Sequence, residues 1–353
     1  MYRHRVTILY DNSQYEKETL IQRLPSQEDT LSEAKGVEEA LLQLGVKARR
    51  LEISYDRIES FIHDLLRYRE EIVFNLCEDI KGEGVYEVYV ASLFELLGIE
   101  YTGATPQSLG LCLDKGKAKT LLAAHGLPTP NHLVLEGEAD IPRKLHFPLI
   151  VKLLHEDGSL GIDKGSVVHD AAALRDRVKK MVGLYRQPVI VEEYVDGREF
   201  NISVLGEGNE AVVLPIAEID YSTLKTEEPK ILTYASKWDE ESSEYRKTIP
   251  ICPISLSSPL EKTLRAFALS ACKILGCRDY TRVDVRMKGK TPYVIEVNPN
   301  PCISSDAGFI RSASVAGFSY TDTIGKILGF AIARKQAKTQ QANEWLKEKR
   351  LAS

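Results

Sequence analysis

The sequence predicts a mixed α/β protein: a parallel α/β domain at the start, an α+β segment in the middle and an antiparallel sheet toward the end. Three observations carry that prediction. Strand-length apolar runs alternate with helical patterns through the first part of the chain. The segment Arg282 to Asn298 reads as a β-hairpin, with alternating apolar and polar residues on either side of a Lys-Gly-Lys turn. The 353 residues exceed the usual size of a single core, so two or three domains are expected.

The elements follow in order. Val6 to Tyr10 is a short apolar strand. From Thr30 to Leu44 apolar residues recur at helical spacing (Leu31, Ala34, Val37, Ala40, Leu41, Leu44), and Gly45 closes that helix. Val46 to Ile53 is the second strand, and Ile58 to Arg69 a helix with Phe61, Ile62, Leu65 and Leu66 on one side. Glu71 to Leu76 is the third strand, Tyr86 to Leu97 a helix ended by Gly98, and Ile99 to Thr102 a further strand. This alternation implies a parallel sheet covered by helices.

A second unit begins near Asp114. Lys115 to His125 is a helix that ends at Gly126, with Pro128 and Pro130 beyond it. Phe147 to Lys152 is a strand, Gly158-Ser-Leu-Gly161 a tight turn, Gly165 to Val168 a strand and Ala171 to Val182 a helix. Pro188 to Val195 and Arg198 to Leu205 are strands. Asp220 to Thr248 is polar with weak periodicity, as in a functional loop or lid. Leu260 to Leu275 is an amphipathic helix that leads into the hairpin. Thr321 to Ala333 is a last helix, and Arg334 to Ser353 a charged tail.

Composition narrows the function. Apolar residues make up 43% and charged residues 27%, and the net charge is −5 from 46 basic and 51 acidic residues. A general nucleic-acid binder would carry a basic stripe. No apolar run approaches the roughly 18 residues that span a bilayer, and the first residues lack a signal-peptide pattern. The six cysteines are scattered without a CxxC pair, which fits reduced thiols and a cytoplasmic location.

The hairpin is the most informative segment. Side chains two apart on a strand share a face. With Val283, Val285, Ile295 and Val297 turned to the core, the other face collects Arg282, Asp284, Glu296 and Asn298. Three oxygen ligands on adjacent strands suit Mg²⁺, which takes few protein ligands and completes its shell with phosphates and water. An ordinary solvated hairpin would also carry charges, but Pro299-Asn-Pro-Cys-Ile-Ser-Ser305 leaves it as a long non-helical loop of the kind that carries function. Lys115 and Lys152 are candidate phosphate binders, the second just ahead of the turn that holds Ser159. Glu192 and Glu193 end a strand, and Glu199 follows a turn. In isolation each of these also fits a structural turn or a solvated strand end.

Five segments in this order resemble the D-alanine–D-alanine ligase branch of the ATP-grasp superfamily. They are Gly98 to Gly103, Leu113-Asp-Lys-Gly-Lys-Ala-Lys119, Phe147 to Lys152, Val191-Glu-Glu-Tyr-Val-Asp-Gly-Arg-Glu-Phe200, and Arg282-Val-Asp284 through Glu296-Val-Asn298-Pro. The resemblance implies an N-terminal parallel domain (1–112), a central ATP-grasp lid (113–190), a C-terminal catalytic subdomain with an antiparallel sheet (191–335) and the tail (336–353). It implies that Lys115 and Lys152 contact ATP phosphates, that Glu192, Glu193 and Val195 line the adenine site, and that Glu199 meets the ribose. Ser159 would lie in the loop over the phosphates, and Lys237 would be the lysine that the long loop brings to the nucleotide. Asp284, Glu296 and Asn298 would hold two Mg²⁺ ions, with Mn²⁺ an alternative, and Arg282 would stabilise charge at the acyl centre. The implied reaction is amide formation through an acyl phosphate, between small-molecule carboxylate and amine substrates.

The departures cluster at the amino-acid sites. The family's first loop is of Gly-Gly-x-Ser-x-Glu type, and here it is Tyr10-Asp-Asn-Ser-Gln-Tyr-Glu-Lys17. Its His-Gly-x-x-Gly-Glu-Asp-Gly loop is here Asn75-Leu-Cys-Glu78-Asp-Ile-Lys-Gly-Glu-Gly84. Its Pro-Gly-Met-Thr loop is here Pro299-Asn-Pro-Cys302-Ile-Ser304-Ser305, where the Cys302 N–H stands for the oxyanion-hole glycine and Ser304 or Ser305 for the carboxylate-binding serine. Trp238 replaces a common tyrosine. A ligase for other substrates is therefore expected, with Glu78, Cys302, Ser304 and Ser305 facing them. A D-alanine–D-alanine ligase, an ATP-grasp kinase and a non-catalytic nucleotide-binding module are the alternatives. The apolar helices of the first domain would permit a homodimer.

Overall fold

The computed structural model describes residues 5–11, 24–68 and 71–351. The loop expected after the first strand, from Asn12 to Lys17, lies outside them, as do the last two residues of the tail. The first unit runs β1 (Arg5–Asp11), α1 (Leu24–Gln43), β2 (Lys47–Ile53), α2 (Ile58–Arg67), β3 (Ile72–Leu76) and α3 (Val85–Leu97). Its sheet is parallel with strand order β2-β1-β3. Val6 and Ile8 of β1 and Phe74 of β3 turn one face toward Val37 and Leu41 of α1, while Leu9 and Val73 turn the other toward Phe61, Leu65 and Phe94. The expected strand at Ile99–Thr102 reduces to a single parallel bridge from Tyr101 to Val73.

Two helices then join the units: α4 (Pro106–Leu113) and α5 (Lys115–Ala124). The sequence reading passed over α4. Its signal was present, because Thr105 accepts the Ser108 N–H at 3.2 Å and Pro106 fills the first turn. The central sheet is antiparallel and contains β4 (His132–Leu135), β5 (Leu149–Leu153), β6 (Val167–Val168) and β7 (Val189–Glu193) in the order β4-β7-β5-β6, backed by α6 (Ala171–Tyr185). A division at residue 190 would cut β7, whose five residues all belong to this sheet.

The third sheet contains β8 (Glu199–Leu205), β9 (Val212–Val213), β10 (Ala217–Asp220), β11 (Ile249–Ile251), β12 (Tyr280–Lys288) and β13 (Thr291–Asn298). It is antiparallel, in the order β11-β10-β8-β12-β13 with β9 on β8. The polar stretch before β11 holds one short helix, α7 (Tyr234–Trp238), and α8 (Ser258–Leu275) covers the sheet. Leu264, Ala268, Ala271 and Leu275 of α8 pack on Ile202, Val283, Val285 and Val297.

After α9 (Gly308–Val315), α10 (Tyr320–Leu351) packs Ile324, Ile327 and Leu328 under the first sheet, and then continues as one helix through the expected tail. Arg334 of α10 ties the units together. It binds Glu100 at 2.9 Å and buried Asp279 at 2.5 Å, and Asp279 also accepts the Gly103 N–H at 2.8 Å.

Candidate active site

The hairpin brings its four polar residues together. Arg282 stands opposite Asn298, and Asp284 opposite Glu296. Arg282 forks onto Asp284 with bonds of 2.8 and 2.9 Å, the Asn298 amide donates to Asp284 at 3.2 Å, and Asn201 of β8 donates to it at 2.7 Å. One expectation is corrected here. A bulge after Asp284 shifts the register, so Val294 rather than Ile295 is buried in the core. The bulge frees the Ile295 carbonyl, which accepts Lys119 Nζ at 2.5 Å.

Lys115 and Lys119 lie four residues apart on α5 and so share a helix face. Lys115 bridges Glu296 at 3.0 Å and Asp157 at 2.9 Å. Burial favours its neutral form, but the two carboxylates reverse that and hold it well above the usual lysine range. Burial alone would raise Glu296, yet Lys115, Lys152 and Lys237 bring it down to about 2. Glu192 is 1% exposed and lies 3.1 Å from Lys152 and 3.3 Å from Lys119. Those two cations overcome its burial and keep it ionised, while burial moves Lys119 down to about 8.

The neighbouring end of the cleft is built around Arg286, which the sequence reading missed although it continues the period-two series of Arg282 and Asp284. Arg286 binds Glu199, donates to the Val195 carbonyl at 3.0 Å and lies 3.3 Å from the Tyr221 hydroxyl. Tyr221 donates to the same Glu199 oxygen, Oε2, at 2.6 Å, which leaves Oε1 open. Glu193 points away from Glu192 and pairs with Lys288 at the surface. Burial and Arg282 lower the Lys237 ammonium, and Asp284, Glu296 and Glu199 act on it as well. Next to it, the Trp238 indole donates to the Gly158 carbonyl at 3.0 Å. Gly158 and Ser159 both adopt left-handed backbone, at φ 62° and 63°, so α7 is latched to the glycine-bearing turn.

The substrate-side candidates separate. Asn300 accepts the Ala104 N–H at 2.9 Å and donates to Glu87 at 2.9 Å. A Cβ on Gly103 would meet that Asn300 side chain at 2.6 Å, so the close approach requires glycine. Cys302 Sγ lies 3.4 Å from Ser304 Oγ, and the Ile303 N–H donates to Glu33 at 2.6 Å. Ser304 is buried and Ser305 exposed. Glu78 opens into a cavity lined by Glu33, Asn75, Cys77, Tyr280 and Asn300, whereas Arg282 and Ser304 lie outside that lining.

Among the described residues no three His, Cys, Asp or Glu side chains form a metal cluster. The set Asp284, Glu296 and Asn298 supplies only two carboxylates and an amide. It fits a hard cation that draws its other ligands from phosphate and water. No helix among the described residues is long and apolar enough to cross a membrane.

A parallel α/β unit beside two antiparallel sheets, with lysines and carboxylates converging between those sheets, is the arrangement of an ATP-grasp ligase. Comparison with known proteins agrees. The family model for the D-ala D-ala ligase C-terminus matches residues 121–329. A D-alanine–D-alanine ligase of Janthinobacterium sp. is 31% identical over 88% of this chain and 92% of its own. An uncharacterized protein of Sinorhizobium fredii is 37% identical over 77% of both chains. The crystal structure of the D-alanine–D-alanine ligase of Bacillus anthracis complexed with ATP superposes with a TM-score of 0.71 at 22% identity, covering 94% of this chain and 99% of that one. The chain belongs to the D-alanine–D-alanine ligase family and is an ATP-dependent ligase.

Proposed function

We propose that the chain joins a small carboxylic acid to an amine through an acyl phosphate, and that its substrates are not two D-alanines. The observation that carries this is a contrast between two regions of the molecule. Asp284, Glu296 and Asn298 converge with Arg282 and Lys115, while the loops that would hold D-alanine carry Glu78, Cys302 and Ser304 in place of the family's residues.

Lys115 and Lys152 face the phosphates of ATP, and the open Oε1 of Glu199 takes a ribose hydroxyl. Asp284, Glu296 and Asn298 would hold Mg²⁺, which would supply charge neutralisation at the phosphates. A carboxylate oxygen of the acid attacks the γ-phosphorus, and the bond from that phosphorus to the bridging oxygen of ADP breaks. The amine nitrogen then attacks the acyl carbon. The bond from carbon to the phosphate oxygen breaks, phosphate leaves and the nitrogen loses a proton. Arg282, fixed by its fork on Asp284, faces the tetrahedral oxyanion. The latch from Trp238 to Gly158 holds the two loops together over the acyl phosphate and keeps water out.

Product mass tests the reading. The purified chain with ATP, Mg²⁺ and mixed pairs of amino acids should release ADP and form an adduct of the two reactants less one water. A product that has only gained a phosphoryl group identifies a kinase. Absence of ADP release across the panel identifies a nucleotide-binding module.

A further inference from the structure

The glycine-bearing turn lays an acid of its own on a lysine that faces the phosphates. An ammonium carries three N–H donors and no acceptor. On Lys115, which is buried, they meet the Glu296 carboxylate at 3.0 Å, the Glu156 carbonyl at 2.5 Å and the Asp157 carboxylate at 2.9 Å. A phosphate oxygen can join Lys115 only where one of these acceptors lets go.

The three acceptors differ in how firmly they are held. Glu296 stands on β13, paired along its length with β12. Gln187 brackets Glu156: it donates to the Glu156 carboxylate at 2.9 Å and accepts the His155 N–H at 3.2 Å. Asp157 begins the turn. Its side chain is 51% exposed, and Gly158 and Ser159 follow it in left-handed backbone. Glu192, which holds Lys119 and Lys152, stands on β7 just as Glu296 stands on β13, whereas Asp157 lies between elements. The acceptor that can leave is Asp157.

We propose that Asp157 is a resident competitor for the nucleotide's phosphates and so sets the affinity of the site for ATP and ADP. Before the nucleotide binds, its carboxylate takes the place of a phosphate oxygen on Lys115. It swings toward solvent as the phosphates arrive and returns as ADP leaves. A ligand that displaces a bound anion gains less than one that meets a free ammonium, because the charge-assisted bond it makes replaces one already made. Glu296 and the Glu156 carbonyl keep Lys115 in position through the exchange. Asp157 thereby favours release of ADP, and product release limits the rate of many enzymes. The inference rests on the ligase reading, in which Lys115 faces the phosphates of ATP.

Titration calorimetry on the full chain tests it, with ATP, ADP and adenosine as probes in the presence of Mg²⁺. Asp157→Asn and Asp157→Ala should each bind ATP and ADP about tenfold more tightly than the parent, the effect of one charge-assisted hydrogen bond. Adenosine, which has no phosphate, should bind parent and variants alike. On a Lys115→Met background the gain from Asp157→Asn should shrink to about twofold or less. Unchanged or weaker binding of ATP and ADP in both single variants overturns the proposal, as does an equal gain for adenosine. Tighter nucleotide binding in the variants without ADP release from any substrate pair upholds the competitor and overturns the ligase reading instead.

Discussion

Two regions of the molecule treat charge in opposite ways. Where the nucleotide is proposed to bind, the acids have cations: Lys115 holds Glu296, Arg282 holds Asp284, and Lys119 and Lys152 hold Glu192. On the switch-point side, where β1 and β3 end, burial and mutual repulsion raise Asp11, Glu78 and Glu87. The paired half is preorganised around charges that phosphoryl transfer will meet, so little has to move at the moment of reaction. The crowded half carries a repulsion that protonation relieves.

The largest effect should come from breaking the paired half. Asp284→Asn keeps the hydrogen-bonding shape but removes the charge, and should lower kcat about 10³-fold with a folded far-UV spectrum. Next is a site outside both halves that fixes their spacing. Arg334→Ala leaves Asp279, which is 0% exposed, without its cation and should destabilise the fold by about 3–5 kcal/mol in urea unfolding.

Lys119 sharpens the comparison, because it belongs to the paired half yet acts through the bulge carbonyl of Ile295. Lys119→Met should lower kcat about tenfold or more through a displaced Glu296 and a Glu192 left with Lys152 alone, and raising Mg²⁺ should recover part of the loss. The smallest effect should be Trp238→Phe, which loses the bond to Gly158 and should raise KM for ATP several-fold, the effect of about 1 kcal/mol.

The crowded half should show itself in pH. Asp11 and Glu87 titrate at about 8 in the fold and near 4 when unfolded. Between those values the native state holds protons that the unfolded chain has lost. Their contribution to stability is therefore full at acid pH and is lost as pH rises through about 8. Glu33, Glu78, Asp79, Asp157, Cys77 and Tyr280 face the same cluster. The melting temperature should fall between pH 5.5 and pH 8, and Glu87→Gln should flatten that fall; a melting temperature that rises over this range in the parent contradicts the cluster's charge state.

The two halves also differed in how legible they were. Arg282, Asp284, Glu296 and Asn298 lie on two strands joined by a short turn, so strand periodicity alone placed them together. Lys115 and Lys152 could be found at the ends of clear elements. The bulge could not, because alternation continues through Ile295 in the sequence, and only the pairing with β12 reveals the slip. Arg286 and Lys119 carried readable spacing signals that were not followed. The switch-point cavity was beyond local pattern. Glu33, Asn75, Tyr280 and Asn300 come from four separate segments, and only the packing of the first sheet and the return of the exit loop bring them together.

The most direct test of the contrast is ADP release with D-alanine as the only amino acid, measured beside the mixed amino-acid panel at saturating ATP and Mg²⁺. The account predicts background release with D-alanine alone and ATP-dependent turnover with a mixed pair from the panel. Robust ADP release with D-alanine alone, accompanied by the mass of its dipeptide, would contradict it.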